Sequence, residues 1–375
     1  MSNLVKLKAA TCLDDVANIL GYKASALSYL LYVLPTTAKY SSFTIGKKSG
    51  GSRVINAPDP RLKTLQRHLT NLLSDCQREI LKAKEKSHRP LAHGFVENHS
   101  IATNAAEHTG RRFVLNLDLK DFFPSFNFGR VRGFFMKNRD YALHEKVATI
   151  LAQIAIYNNQ LPQGSPCSPI ISNLITHMLD VRLAQLAKAN RCRYSRYADD
   201  LTFSTNQKNF PDALAIQLDV SDWQPSDALT KTIGKAGFTI NASKTRMQTA
   251  SNRQLVTGLT VNRKVNVTAD YYRYARSMCH ELFKTGLYHR PQEWESTTSI
   301  PPEDITTPNV LEGILSFISQ IKNFSDTRDA STRKGQPSSS RLLQRKFLNY
   351  KTFIALDKPL ILCEGKTDNV YLRMV

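Results

Sequence analysis

The chain of 375 residues contains only six cysteines, at positions 12, 76, 167, 192, 279 and 363, and no two of them form a CxxC pair. That scarcity and scatter argue against a zinc ribbon and against a disulfide scaffold. No apolar run approaches the roughly 20 residues that a membrane span needs, so no membrane partner is expected. The segment Met1-Ser-Asn-Leu-Val-Lys-Leu-Lys8 lacks an apolar core followed by a small-residue cleavage site and is not expected to act as a signal peptide. Together these absences lead to an expected reduced, cytoplasmic protein. Acidic residues are also scarce: 31 Asp+Glu stand against 51 Lys+Arg, a formal charge of +20. Such an excess favours a polyanionic partner, because each phosphate contact releases condensed counterions. Charge alone does not separate a nucleic-acid enzyme from a plain RNA binder. With 41% hydrophobic and 22% charged residues the composition is globular, which excludes global disorder. The length allows about two to three domains.

Local patterns supply a coarse map. Asp14 and Asp15 can cap a helix whose apolar residues Val16, Ile19 and Leu20 recur at helical spacing. A second helix carries Leu27, Leu30, Leu31 and Val33. Ser42-Phe-Thr-Ile-Gly46 and Arg53-Val-Ile-Asn56 read as a hairpin around the turn-rich Lys48-Ser-Gly-Gly-Ser52. Leu62, Leu65, Leu69, Leu72 and Leu73 mark a long amphipathic helix, followed by a basic run over 82–90. Phe113-Val-Leu-Asn-Leu-Asp-Leu119 is a buried strand that ends in charge. Residues 143–157 and 168–188 read as helices, and 193–204 as a hairpin. Further strands are expected near 238–241 and 255–267, with helices over most of 268–324. The Ser-, Asp-, Thr- and Lys-rich stretch 325–340 reads as a flexible linker.

The chemistry gathers on carboxylates. Asp118 lies at the end of the apolar strand, and Asp199 and Asp200 are adjacent in Tyr197-Ala-Asp-Asp200 between two strand-like runs. Neighbouring side chains on a strand face opposite ways, so both aspartates converge on one point only at the tip of a tight hairpin. Aspartates held together repel unless cations neutralise them. Two divalent ions supply that charge for an in-line phosphoryl displacement, and magnesium suits an oxygen-only site. In isolation the four-residue motif is equally a polar turn capped by aspartates. Its neighbours change that reading: Leu117-Asp118-Leu-Lys-Asp121-Phe-Phe-Pro-Ser-Phe126 lies upstream, Leu161-Pro-Gln-Gly-Ser-Pro-Cys-Ser-Pro-Ile170 between, and Gly237-Phe-Thr-Ile-Asn-Ala-Ser-Lys244 downstream.

In order and approximate spacing these four segments resemble the palm motifs of reverse transcriptases over about residues 40–265. Asn104-Ala-Ala-Glu-His108 and Val256-Thr-Gly-Leu259 resemble two further elements of bacterial retron reverse transcriptases, the NAxxH and VTGL elements. The chain looks especially like the retron enzymes fused to a Toprim domain. The resemblance implies an α+β right-hand polymerase: fingers, a palm of antiparallel sheet with helices, a helical thumb and a short C-terminal extension. The expected boundaries are 1–40 for an N-terminal helical segment, 41–110 for fingers and 111–265 for palm with inserted fingers elements. The thumb is expected over 266–324, the linker over 325–340 and the extension over 341–375.

The resemblance also implies roles. Asp118, Asp199 and Asp200 are catalytic metal ligands for two Mg2+ ions, with Mn2+ as a substitute and the carbonyl of Leu119 as a helper. Phe123 is a steric gate beneath the sugar, with a core aromatic as the alternative. Gln163 and Gly164 contact the incoming nucleotide and the template base. Arg53 grips the triphosphate and Lys244 protonates the leaving pyrophosphate, with a solvated surface residue as the alternative for each. Asn104 and His108 contact RNA or the RNA–DNA hybrid, with a structural histidine as the alternative, and Thr257 and Gly258 sit where palm meets thumb and primer. Tyr271-Tyr-Arg-Tyr-Ala-Arg276 interleaves aromatics with cations, so Tyr271 and Arg273 suit an RNA stem, although a packed amphipathic helix would look similar. Leu360-Ile-Leu-Cys-Glu-Gly-Lys-Thr-Asp368 resembles the start of a Toprim domain without its later acidic pair, so no nuclease activity is expected of it.

By the same resemblance the protein copies part of a structured non-coding RNA into DNA. It primes from an internal RNA 2′-hydroxyl to give branched RNA–DNA. Expected partners are that RNA as template and primer, its RNA–DNA product, dNTPs and an effector protein in an antiphage unit. The rival readings are a group II intron or diversity-generating reverse transcriptase, and a scaffold that holds RNA–DNA for an effector.

Overall fold

The computed structural model describes residues 2–46, 51–84, 90–219, 222–289, 307–356 and 359–362. The chain divides into two compact units, residues 1–265 and 266–375.

The first unit opens with helices α1 (Asn3–Ala9), α2 (Leu13–Leu20) and α3 (Ala24–Ser28), a π-helical turn over Tyr29–Val33, and α4 (Thr36–Lys39). The cap of α2 is Cys12 rather than Asp14; Asp15 reaches back to the Cys12 N–H at 3.1 Å, closing a capping box. Strands β1 (Tyr40–Gly46) and β2 (Ser52–Pro58) pair antiparallel from Tyr40 opposite Pro58 to Gly46 opposite Ser52. Helix α5 (Pro60–Ala83) starts with proline in its first turn, where a missing N–H costs nothing, and with Asp59 as cap. Its leucines are buried, and Gln66 among them donates to Tyr40 Oη at 2.7 Å and to the Ile154 carbonyl at 2.9 Å.

Next comes α6 (Ile101–Ala106), capped by Ser100, which accepts from the N–H groups of Ala102 and Thr103. Strand β3 (Phe113–Lys120) follows, then α7 (Phe128–Lys137), α8 (Glu145–Ala155) and α9 (Ser168–Ala189). Helix α9 buries residues all around its circumference, which is why no single apolar stripe marks it. A tight hairpin comprises β4 (Arg193–Tyr197) and β5 (Asp200–Thr205). A small hairpin of β6 (Ala215–Gln217) and β7 (Trp223–Pro225) leads to α10 (Asp227–Lys235), β8 (Thr239–Ile240) and β9 (Arg246–Thr249). Strands β10 (Leu255–Val256) and β11 (Leu259–Thr260) form a last tight hairpin. The main sheet is antiparallel in the order β4-β5-β3, with β8 and β9 sharing the far edge of β3. This mixture of helices and antiparallel sheet is the α+β polymerase architecture expected from sequence.

The second unit packs α11 (Ala269–Thr285), α12 (Pro308–Phe324) and α14 (Ser339–Phe353), with the short α13 (Ala330–Gly335) between the last two. Met278, Leu282, Leu311, Leu315, Ile318 and Phe347 form its core. Two sequence expectations change here. The stretch 325–340 is not a featureless linker: Asp329 caps α13 by accepting from the Thr332 N–H at 2.9 Å, and Ser338 caps α14. The polar residues that suggest flexibility are helix caps. Nor does a separate extension begin at 341, because α14 runs through that position and buries Phe347 completely. Beyond it Ile354, Leu356, Leu360, Ile361 and Leu362 are exposed, and 359–362 form no strand. The Toprim-like residues from Cys363 onward, the loop 47–50 and the basic residues 85–89 lie outside the described residues. Among the described residues no helix is long and apolar enough to cross a membrane.

Candidate active site

The turn between β4 and β5 is the two residues Ala198 and Asp199, with Tyr197 paired to Asp200 across it. Ala198 adopts a left-handed φ of 55°, which tightens the turn and brings the aspartates out at its tip. On the other side of β5 the ladder sets Asp118 directly opposite Asp200. The Leu119 N–H donates to the Asp199 carbonyl at 2.9 Å, so the turn is tied to the central strand. Three carboxylates from two strands thus meet at one end of the sheet.

Like charges directly across a ladder oppose each other. Crowding by surrounding protein, then the charges of Asp199 and Asp118, push Asp200 up to about 7, although its carboxylate still reaches solvent. Burial, with Asp118 adding to it, also raises Asp199. The chain relieves part of this strain itself. Lys244 donates from Nζ to Asp118 Oδ2 at 2.8 Å, and Asn241 donates from Nδ2 to Oδ1 at 3.2 Å. That contact with Asp118 holds Lys244 above its ordinary range and so keeps it protonated. Among the described residues no three Asp, Glu, His or Cys side chains are gathered tightly enough to hold a metal as they stand. The donor chemistry nonetheless fits a hard divalent cation: the set is oxygen-only, mutually repelling and short of positive charge.

The other expected residues fall into four groups. Arg53 is exposed on β2 and near enough to Asp199 to favour its charged form. The Gln163 carbonyl accepts from the Asn56 N–H at 2.8 Å, which joins the 163–164 loop to the same hairpin. Gly164 has φ 121°, and a Cβ there would meet the Asn56 carbonyl at 2.7 Å, so only glycine fits. Phe123 is half-buried, 5.4 Å from the Phe122 ring and 6.3 Å from Phe95. Thr257 and Gly258 are the turn of the β10–β11 hairpin, both at positive φ, with Thr257 Oγ1 donating to the Ile101 carbonyl at 3.1 Å. Tyr271 and Arg273 lie on α11 in the second unit; Tyr271 packs edge-on against Phe317 at 6.0 Å, and Arg273 is exposed and paired with Asp270.

Asn104 and His108 require a correction. Neither reaches the surface; both are fully buried. Ser195 Oγ donates to Asn104 Oδ1 at 2.7 Å, so its own oxygen is free to accept from His108 Nε2 at 2.8 Å. His108 Nδ1 then accepts from Ser204 Oγ at 2.7 Å. Burial, followed by the charges of His93, Arg111 and Arg193, depresses His108 to about 3, so the imidazole is neutral and the direction of the Ser204 bond follows from that. The pair braces both strands of the β4–β5 hairpin, through Ser195 and Ser204, and offers no surface to a nucleic acid.

Sequence reasoning missed Arg196. It is fully buried and forms two hydrogen bonds to Asp180, Nε to Oδ1 at 2.7 Å and Nη2 to Oδ2 at 2.8 Å. Its Nη1 donates to the Ala198 carbonyl at 3.0 Å and so clamps the turn that carries Asp199. Asp180 comes from α9, and Tyr194 Oη donates to it at 2.8 Å. Gly94 packs against the same turn, where a Cβ would lie 2.6 Å from the Ala198 nitrogen. Alternation gives no clue to it, because Tyr194, Ser195 and Arg196 are all buried and both faces of β4 are covered. Arg130 was missed too; it lies over the Phe126 and Phe238 rings at 4.7 and 4.2 Å and donates to the Ala236 carbonyl at 2.7 Å.

An antiparallel sheet that presents three carboxylates at a hairpin tip, beside Lys244 and within the influence of Arg53, defines a nucleotidyl-transferring polymerase palm. The family described as reverse transcriptase (RNA-dependent DNA polymerase) matches residues 45–268. The chain is 33% identical to the retron Mx65 reverse transcriptase of Myxococcus xanthus, over 86% of this chain and 71% of that one. It is 32% identical to the retron Ec86 reverse transcriptase of Escherichia coli, over 72% and 78%. A solved structure of telomerase from Candida albicans with a fragment of telomeric RNA aligns with TM-score 0.47 and 10% identity, over 84% of this chain and 64% of that one. The chain belongs to the reverse transcriptase family, the RNA-directed DNA polymerases, and within it to the bacterial retron reverse transcriptases.

Proposed function

We propose that this chain copies part of a structured non-coding RNA into DNA, starting from an internal RNA 2′-hydroxyl and leaving a branched RNA–DNA product. The observation that carries the reading is the convergence of Asp118 and Asp200 across one ladder with Asp199 at the adjoining turn. Asp118, Asp199, Asp200 and the Leu119 carbonyl would hold two Mg2+ ions, or Mn2+ in their place. Bound there, such ions activate an attacking hydroxyl and stabilise the leaving oxygen. Arg53, near enough to Asp199 to favour its charged form, would supply a fixed positive charge to a dNTP triphosphate. The half-buried Phe123 ring bars a ribose 2′-hydroxyl. Gln163 and Gly164 offer a backbone edge held rigid by β2. Lys244, kept protonated by Asp118, has a proton on Nζ to give to the leaving pyrophosphate. Thr257 and Gly258, at the last hairpin of the first unit, would contact the primer, and Tyr271 and Arg273 on α11 would contact an RNA stem, with the helices after Val265 acting as thumb.

The wider setting is a retron unit in the cytoplasm that joins this polymerase to an effector protein against phage. The exposed apolar run Leu360-Ile-Leu362 favours a protein partner at the C-terminal end, and a Toprim-like domain beginning there is one form of it. The core assay is labelled dNTP incorporation on primed RNA with magnesium. The double variant Asp199→Asn, Asp200→Asn should lose incorporation entirely while staying folded, since it removes repelling charges. Wild-type incorporation by that variant would eliminate this site.

A further inference from the structure

Strands β3 and β4 flank β5, so the residues that lead into both arrive at one end of the sheet. The Arg112 N–H donates to Asn206 Oδ1 at 2.8 Å, and Thr205 Oγ1 donates to the Arg191 carbonyl at 3.0 Å. Arg193 stands opposite Ser204 in the ladder. The end of β5 therefore gathers Arg112, Arg191 and Arg193, all exposed, around the half-buried Arg111. The structure sets Glu107 against them, its carboxylate 3.8 Å from Arg193 Nη1, a long and partly exposed pair of the kind worth little. Arg111 Nε is buried without a hydrogen-bond partner. Burial and then the charge of Arg193 both work against the Arg111 cation. The fold thus brings four arginines to one end of the sheet, with Arg193 near enough to oppose the Arg111 cation and Glu107 set against them, an excess of positive charge that an external anion would offset. Guanidinium forks match phosphate oxygens in pairs, and several of them along an edge match a chain of phosphates. From Phe113 to Asp118 is five residues of strand, about 17 Å at ~3.4 Å per residue, so this edge is outside the reach of the reacting atoms.

We infer that the end of the sheet opposite the carboxylates, built by Arg111, Arg112, Arg191 and Arg193, is a docking site for the phosphate backbone of an RNA stem. The inference rests on the reading of the chain as an RNA-copying polymerase, and it adds the surface that holds structured RNA outside the site of synthesis. The test uses the full chain freed of nucleic acid and two nucleic-acid probes, with poly-glutamate as an acidic-protein control. One is a blunt-ended RNA stem-loop, which has no recessed 3′ end to extend; the other is poly(rA) primed with oligo(dT).

Changing Arg112, Arg191 and Arg193 together to Gln should weaken stem-loop binding about tenfold or more. It should also flatten the log–log salt dependence by about 2 to 3, close to one for each phosphate that is no longer neutralised. Extension of oligo(dT) should not change. Changing the same three to Lys should retain most of the affinity, because the charge is kept. Unchanged stem-loop affinity and salt slope in the Gln variant overturn the inference, as does equal weakening in the Gln and Lys variants. A larger weakening for poly-glutamate than for the stem-loop overturns it in favour of an acidic protein partner. Failure of the wild-type chain to extend primed poly(rA) counts against the polymerase reading instead and leaves the stem-loop comparison intact.

Discussion

Replacing Arg196 by Met separates what holds the catalytic turn from what merely stabilises the fold. The guanidinium is buried with Asp180, and their side chains are 0% and 2% exposed. Removing it leaves a buried carboxylate whose remaining partner is the Tyr194 hydroxyl. Breaking a buried pair from one side costs about 3–5 kcal/mol, a large share of the roughly 5–15 kcal/mol that a folded chain has. Arg196→Met and Asp180→Ala should each lower the stability measured by urea unfolding by that amount. In Arg196→Met with Asp180→Leu both charges are gone and apolar volume fills the space. Stability should return to within about 2 kcal/mol of the parent, the remainder reflecting the unpartnered Tyr194 hydroxyl. Synthesis should not return with it. The bond from Nη1 to the Ala198 carbonyl is missing in every variant without Arg196, and a turn displaced by even about 1 Å costs on the order of 100-fold in rate. The paired readout is urea unfolding and dNTP incorporation. A single variant within about 1 kcal/mol of the parent, or a double variant with full incorporation, would refute the reasoning.

Three further outcomes are expected. His108 is held near 3 against an unfolded value near 6.5, so the unfolded chain binds the extra proton between those limits; stability should fall by about 1.4 kcal/mol per unit as pH drops below 6.5, and His108→Gln should flatten that slope in urea unfolding at pH 7 and pH 5. Gly94→Ala drives a methyl group into the Ala198 nitrogen, so incorporation should drop by about tenfold or more with a stability loss of about 1–3 kcal/mol; parental kinetics would show that the turn yields freely. Phe123→Ala should lower the ratio of dNTP to rNTP incorporation efficiency, whereas an unchanged ratio at normal activity returns Phe123 to the ordinary core.

Sequence by itself determined the features whose causes are local. The amphipathic period of α5, the short strands on either side of Ala198-Asp199 and the adjacency of two aspartates are written within a few residues of one another, so they were legible. The carboxylate triad was legible for another reason: the motif order brought Asp118 to Asp199 and Asp200, although it said nothing of the ladder that sets Asp118 opposite Asp200. What the tertiary structure decided was burial and partnership across long separations. Asn104 and His108 have the composition of a contact site, yet Ser195 and Ser204, about ninety residues away, turn them inward. Both faces of β4 are buried, so alternation does not single out Arg196; the arrival of Asp180 from α9 makes burial of its charge tolerable. The polar stretch 325–340 carries cap residues and linker residues in the same alphabet, and packing of Phe347 against the neighbouring helices determines which they are. A side chain's chemistry is set by its own atoms, but its ionisation and its role depend on what the folded chain places within a few ångströms of it.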